Sequence, residues 1–383
     1  MADVLHDIAI VGAGCAGLSL AMRLAQSAPH LSVVLLDSRR QYEDDRTWCF
    51  WTSGTTPAED LIDKRWPRWR FADHSNRSIL HTGHLNHYAC VRSGQFYRHA
   101  LQQITAANFK LHLDAPVSAI QASGAGIQVT AGKHQLMARQ VIDTRPEPHI
   151  QAKLYQVFAG LEIETDADAF DPDEAGLMEG MIADTQGFRF IYTLPFSKRH
   201  ALIELTRFAT DPIHPAQLDA ELAAYLEGRN LHSARIIRQE HGLLPMGMTA
   251  KPTSGDPRII RAGMSAGAIR AATGYAFLRI QDWAQACAAS IAKGGPALPH
   301  EPESTLRSWL DAVFLTALKQ KPQNGADYFL KMAKALSPDA FARFMTDAGS
   351  VLDHARLVTA LPPLPFLAAA ARVCASSMMK VSP

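Results

Sequence analysis

Glu204 lies between Ile203 and Leu205 in an apolar stretch. In such a setting burial raises a carboxyl's pKa and keeps a transferable proton on it near neutrality. The same pattern also describes a strand glutamate turned to solvent, because charged residues on strands are mostly exposed. A second group with chemical meaning is Gly12-x-Gly14-x-x-Gly17, followed twenty residues later by Asp37. Gly12 permits a tight turn, Gly14 lets backbone approach a pyrophosphate, and Gly17 lets a helix sit close to a sheet. The helix N-terminus then turns unpaired N–H groups toward phosphate, and Asp37 accepts from ribose hydroxyls. This is the pattern of a dinucleotide site.

Other residues invite chemistry less strongly. Trp48, Phe50, Trp51, Trp66 and Trp69 could line a cavity whose π faces stabilise a cation, or pack as ordinary core. His81-x-x-His84-x-x-His87 has histidine spacing but no cysteine or acidic ligand, and its intervening residues read as a turn, so no metal is expected. Cys49 reads as a small packed residue rather than a nucleophile. Arg46 and Arg270 suit either cofactor phosphates or solvated surface.

These groups need elements to hold them. A strand at 8–11, a helix at 17–26 and a strand at 32–36 form a βαβ unit around the glycines. Residues 48–71, dense in aromatics and prolines, read as an irregular excursion. Helical character follows at 93–101, then strand-turn alternation to about 142. Phe188, Phe190, Tyr192 and Leu194 share one strand face, and Leu202, Glu204 and Thr206 share another, with 195–199 as the turn of a hairpin. A glycine-rich run after 260 leads into a helix at 278–292. From 303 onward the spacing of Leu306, Trp309, Leu310, Val313, Phe314, Ala317 and Leu318 is helical. Pro362, Pro363 and Pro365 read as a break before a short apolar tail.

Composition narrows the function classes. The chain has 383 residues, 47% of them hydrophobic and 20% charged, enough for a sizeable core. Lys and Arg number 38 against 37 Asp and Glu, so no basic field exists to capture nucleic acid. The five cysteines are scattered without a C-x-x-C pair, which fits reduced thiols rather than a disulfide or thiolate metal scaffold. No apolar run is long enough to span a bilayer, and the glycine-cut N-terminal run does not read as a signal peptide.

Further segments carry a specific resemblance. Asp45-Arg46-Thr47-Trp48-Cys49-Phe50-Trp51 resembles the D-x-T-W-x-F segment of lycopene β-cyclases. Phe190-Ile191-Tyr192-Thr193-Leu194-Pro195 with Ile203-Glu204-Leu205-Thr206 resembles their Y-x-L-P and E-x-T segment. Thr273-Gly274-Tyr275-Ala276-Phe277 is similar to their T-G-Y signature, and Leu310-Asp311, Phe314-Leu315, Arg343-Phe344 and 361–366 resemble their C-terminal helical part.

The resemblance implies an α/β, Rossmann-type FAD-binding flavoprotein fold with a β-sheet substrate region and a C-terminal helical cap. The corresponding division is 1–150 with 255–300 for the FAD-binding domain, 151–254 for the substrate-binding region, and 301–383 for the cap. It implies redox-neutral closure of the ends of lycopene, by way of γ-carotene to β-carotene, with Glu204 as the essential carboxylate. Asp45 is the next carboxylate to consider. Gly12, Gly14, Gly17, Asp37, Gly263 and Gly267 would hold FAD in its reduced form, with NAD(P)H as the flavin's reductant. Trp48, Phe50, Trp51, Thr273, Gly274 and Tyr275 would line the substrate pocket. The lipophilic substrate, together with the apolar stripe Phe341, Phe344 and Met345 and the 364–367 tail backed by Arg372 and Lys380, implies a cytoplasmic protein peripheral to the inner membrane. Two other readings keep the same residues: a monooxygenase or isoprenoid-chain reductase of this fold, and a non-catalytic carotenoid- or flavin-binding protein.

Overall fold

The computed structural model describes residues 5–124, 126–147, 150–249 and 255–379. In chain order the first part holds β1 (Leu5–Val11), α1 (Cys15–Ser27), β2 (Val33–Leu36), β3 (Thr47–Thr52), β4 (Lys64–Trp66), β5 (Arg68–Asp73), β6 (Ser78–Thr82), β7 (His87–Arg92) and α2 (Ser93–Ala106). There follow β8 (Lys110–His112), β9 (Val117–Ser123), β10 (Gly126–Ala131), β11 (His134–Asp143), β12 (Ala152–Glu164), β13 (Glu174–Asp184), β14 (Gly187–Pro195), β15 (His200–Ala209), α3 (Asp219–Gly228), β16 (Arg235–Met248) and β17 (Ile259–Arg261). The rest is helical: α4 (Phe277–Ala292), α5 (Thr305–Gln320), α6 (Gly325–Ala335), α7 (Pro338–Met345), α8 (Val351–Ala360) and α9 (Pro363–Met379).

Two seven-stranded sheets dominate. The first runs β8-β2-β1-β11-β10-β9, with β17 added on β11. Its central β1 pairs in parallel with both β2 and β11. Ile8 to Val11 and Val33 to Leu36 are buried throughout, as strands covered on both faces must be. The α1 residues Leu18 and Leu24 pack on this sheet together with Phe96 of α2 and Trp283 of α4.

The second sheet runs β16-β12-β15-β14-β13-β5-β6, so two of its strands come from residues before 150. One face, which includes Trp69 of β5, packs on Trp66 and the cap residues Phe314, Tyr328 and Phe341. The other face is covered by α3 through Leu222 and Leu226 and by Leu218 of the turn before it. A third sheet, β3-β7-β4, bridges the two halves.

Two sequence expectations change. The stretch 48–71 is irregular only at its centre, 53–63: its two ends form β3, β4 and the start of β5, because their tryptophans and phenylalanines are β-formers that pack on a pleated surface. The prolines near the C-terminus do not precede a short tail. Pro363 and Pro365 fall in the first turn of α9, where a missing N–H costs no helical hydrogen bond, and the helix continues to Met379. The chain bends by 114° between α8 and α9.

Candidate active site

The glycine loop folds as its sequence requires. Gly12 has φ +89°, and a Cβ on Gly17 would stand 1.9 Å from the Gly12 carbonyl oxygen. Helix α1 begins with no side-chain cap, which leaves its first N–H groups available to an anion. Asp37 ends β2 beside this loop. Its Oδ2 accepts from Ala13 N–H at 2.6 Å and its Oδ1 from Arg39 N–H at 2.8 Å. Gly263 follows β17 and approaches Thr144 and Ala16, next to the loop, while its N–H donates to His300 Nε2 at 2.9 Å. The floor open at Gly14, the uncapped helix and the adjacent carboxylate fit the pyrophosphate and ribose of a dinucleotide.

Across β14, β15, β12 and β16 the register brings Tyr192, Glu204, Gly160 and Glu240 into one row. Gly160 leaves the room: a Cβ there would meet Glu240 Cγ at 3.2 Å and Glu204 Cβ at 3.5 Å. The two carboxyls therefore meet over a strand that carries no side chain between them. Thr206 Oγ1 donates to Glu204 Oε1 at 2.8 Å. Glu204 retains some accessible surface, yet protein surrounds it closely enough for burial to push its carboxyl up to about 8. The neighbouring Glu240 carboxylate adds to that rise, while Thr206 and Arg238 oppose it. Glu240 is itself raised by burial, against the pull of Arg238.

Behind this pair lies a buried ionic network. Arg238 Nη1 donates to Glu240 Oε2 at 2.7 Å, and Arg238 also binds Glu162 and Thr47. Glu162 is fully buried and accepts from Arg92 at 2.9 Å and pairs with His200 at 2.6 Å. Arg92 in turn binds Asp44 at 2.7 Å. Buried charges persist only when paired in this way.

The row ends at a cavity of about 480 Å³ with a mainly aromatic and aliphatic wall. Tyr192 and Tyr275 belong to that wall, and Glu204 stands against both rather than in it. Burial holds both phenols neutral. Trp51 lies edge-on to Tyr275 at 5.6 Å and to Phe341 at 5.7 Å. The opposite end of the cavity is formed by the cap. Val358 and Leu367 line it and are also 55% and 66% exposed, so it opens between α8 and α9.

Several sequence-derived residues fall elsewhere than expected. Trp51, Thr273 and Tyr275 line the cavity. Gly274 adjoins it through the wall residue Gln156. Trp48 and Phe50 do not line it: both stack on Phe277 at 5.3 Å in the first core, since alternation along β3 turns them away from Trp51. Phe50 borders instead a second cavity of about 510 Å³ near Gly267 and His300. Trp66 and Trp69 are completely buried, their indole N–H groups donating to Pro195 O and His81 Nδ1. His81 is therefore a core residue, bonded on its other nitrogen to Ala333 O. Cys49 faces Cys90 across β3 and β7, with its thiol pushed up by that contact and by burial.

Of the two arginines, Arg46 keeps a solvated side chain, one of the two positions expected, and Arg270 takes neither. Arg46 bonds to Asp45, and Arg270 is buried as a clamp that reaches Phe344 O at 2.6 Å, Asp347 at 3.2 Å and Asp311 at 3.5 Å. Asp45 accepts from Ser93 and Tyr97, so the carboxyl beside Glu204 is Glu240. Sequence reading missed Glu240. The available signal was Gly160 inside the apolar run 157–161 of a strand, which marks a close approach.

A mixed sheet whose parallel centre carries a glycine loop, joined to a mainly antiparallel sheet with a carboxyl pair beside a cavity, defines the two-sheet flavoprotein fold. Solved structures share it at low identity. A protein described as CtdE in complex with FAD and substrate 4 matches with TM-score 0.60 and 10% identity over 96% of this chain and 100% of that one. A geranylgeranyl bacteriochlorophyll reductase-like protein from Thermoplasma acidophilum matches with TM-score 0.59 and 13% identity over 95% of both chains. Within that fold, residues 7–371 match the family model described as lycopene cyclase protein, and the chain belongs to this family. It is 27% identical to the lycopene beta-cyclase of Pseudescherichia vulneris, over 94% of this chain and 95% of the relative. It is 24% identical to that of Pantoea ananas, over 95% and 97%.

Proposed function

We propose that the protein is a lycopene β-cyclase, converting the acyclic ends of lycopene to β-rings without net oxidation. The observation that carries this reading is Glu204, a carboxyl held protonated to about pH 8 beside the inner wall of an apolar cavity. A proton given to the terminal double bond leaves a tertiary cation, an internal double bond closes the ring, and loss of a ring proton balances the one donated. The chain supplies the acid from Glu204, neutral phenols from Tyr192 and Tyr275 between acid and polyene, and the Trp51 ring for the cation. The cavity's apolar wall excludes water that would trap that cation.

The glycine loop, Asp37, Gly263 and Gly267 would hold FAD. In its reduced form this would supply negative charge near the cation, with NAD(P)H serving to reduce it. The purified protein with reduced FAD and lycopene should give product of unchanged mass without consuming a reductant per ring. One NAD(P)H spent per product molecule would instead favour a reductase or monooxygenase of this fold. A merely carotenoid-binding protein would yield no ring at all.

Substrate access supports a place at the surface of the inner membrane on its cytoplasmic side. No single described helix is long and apolar enough to cross a bilayer, but α8 and α9 together present exposed Val351, Leu352, Val358, Leu364 and Leu367 beside the cavity mouth. Arg372 is exposed on α9, and Lys380 lies outside the described residues. Replacing Leu364 and Leu367 by serine should cut co-sedimentation with liposomes and raise KM for vesicle-borne lycopene severalfold while sparing flavin content. Unchanged sedimentation would reject this face as the membrane contact.

A further inference from the structure

We propose that Glu240 is a positioning residue that holds Glu204 in its acid form, the two carboxyls sharing one proton over the gap left by Gly160. This rests on the cyclase reading, but its physical content is independent of turnover. The register places Gly160 opposite Glu204 on one side and Glu240 on the other, and a glycine is the residue that lets side chains from β15 and β16 close over β12. Two carboxyls in contact and largely out of water cannot both ionise at neutral pH, because the second charge would be desolvated against the first.

The surroundings decide which of the two keeps the proton. Glu240 faces cations from two directions: Arg238 two residues earlier on β16, at 2.7 Å, and Arg46 before β3. It also accepts from Thr47 Oγ1 at 3.2 Å. Glu204 faces Thr206 on its own strand, Tyr192 on β14 and Tyr275 before α4, all uncharged, and feels Arg238 only as a minor influence. The anion therefore settles on Glu240 and the proton on Glu204, the member beside the cavity wall. Once Glu204 has given up its proton, two adjacent carboxylates remain. Their repulsion favours recapture of a proton, which resets the acid for the next ring.

The test reads the Glu204 carboxylic acid directly, by infrared titration of the C=O band that disappears in Glu204→Gln. In the wild-type protein the band should persist above pH 7. Glu240→Gln removes the neighbouring charge and should lower its midpoint by about one pH unit or more. The alkaline limb of the cyclisation rate should move by the same amount, leaving about a fivefold loss or more at pH 8 with little change at pH 6. Glu240→Asp keeps the charge and should restore most of the midpoint. Gly160→Ala places a methyl between the carboxyls and should shift the midpoint in the same direction as Glu240→Gln, so it decides the matter if the latter fails to fold. An unmoved midpoint in a variant with normal flavin content overturns the inference, as does a wild-type midpoint near the ordinary 4.5. A protein that shows the expected band shifts but forms no ring would overturn the cyclase reading and leave the carboxyl pair standing.

Discussion

The glycine loop after β1 and the carboxyl row across β12, β15 and β16 are built on opposite plans. The loop is a backbone device. Its residues lie within a few positions of one another, and its chemistry comes from N–H groups and from side chains that are missing. The row is a side-chain device, assembled from residues 160, 204 and 240 by strand register, and its chemistry comes from charge held out of water. A backbone site fails when bulk is added. A buried ionisable site fails when charge is removed at constant shape.

The largest effect should come from bulk in the loop. Gly17→Ala forces a methyl to 1.9 Å from the Gly12 carbonyl oxygen, so the protein should lose at least ~3 kcal/mol of stability, the range of severe strain and overpacking. Thermal melting checks this. Gly14→Val is the informative contrast. A Cβ at Gly14 meets only Arg39 Nη2 at 3.6 Å, so the fold should survive while FAD binding is lost, because the side chain fills the approach to the pyrophosphate. Tight FAD retention by Gly14→Val would show that the two glycines do not divide the work in this way.

At the row, Glu204→Gln keeps shape and removes the proton. Fold and flavin content should be normal while cyclisation falls by about 10²-fold or more, the scale of losing a general acid. Near-wild-type turnover would move the acid elsewhere. The smallest effect is on stability, and its sign is opposite to the effect on activity. Glu204 rises from its ordinary 4.5 to about 8 on folding, so the folded state holds a proton that the unfolded chain releases. That contribution is fully present below 4.5 and is lost as pH rises through about 8. Glu204→Gln has no such loss. Its unfolding free energy, followed by denaturant titration, should gain on the wild type across this window, by an amount on the order of a few kcal/mol at most, and then run parallel. A constant gap at all pH values would mean that Glu204 titrates normally.

Much of the molecule was legible in the sequence because its signals are local. The βαβ unit and the hairpin of β14 and β15 follow from period-two alternation and glycine punctuation, and the structure reproduces them, whereas the register that sets Tyr192 opposite Glu204 comes from the pairing itself. The family resemblance rests on equally contiguous segments. Where bulk and polarity pointed in two directions, sequence reading went astray: Trp48 and Phe50 could not be told from Trp51 until β3 was seen to pair with β7 and to turn alternate residues toward different cores.

Glycine spacing alone established the dinucleotide loop, and the resemblance of contiguous segments to lycopene β-cyclases implied the sheet-and-cap architecture and the candidate acid, because each of these signals lies among neighbours in the chain. Only the tertiary structure decided that Glu204 has a carboxyl partner, that Arg270 clamps the cap rather than a phosphate, and that the cavity opens under α8 and α9. Those outcomes depend on which strands pair and in what register. Glu240 is 36 residues from Glu204 in the chain and lies on a strand that does not pair with β15 at all; β12 lies between them, and its glycine brings the two into contact. Burial and Coulomb interaction act through space, so the ionisation state of the acid is a property of the folded sheet and not of the segment that carries it.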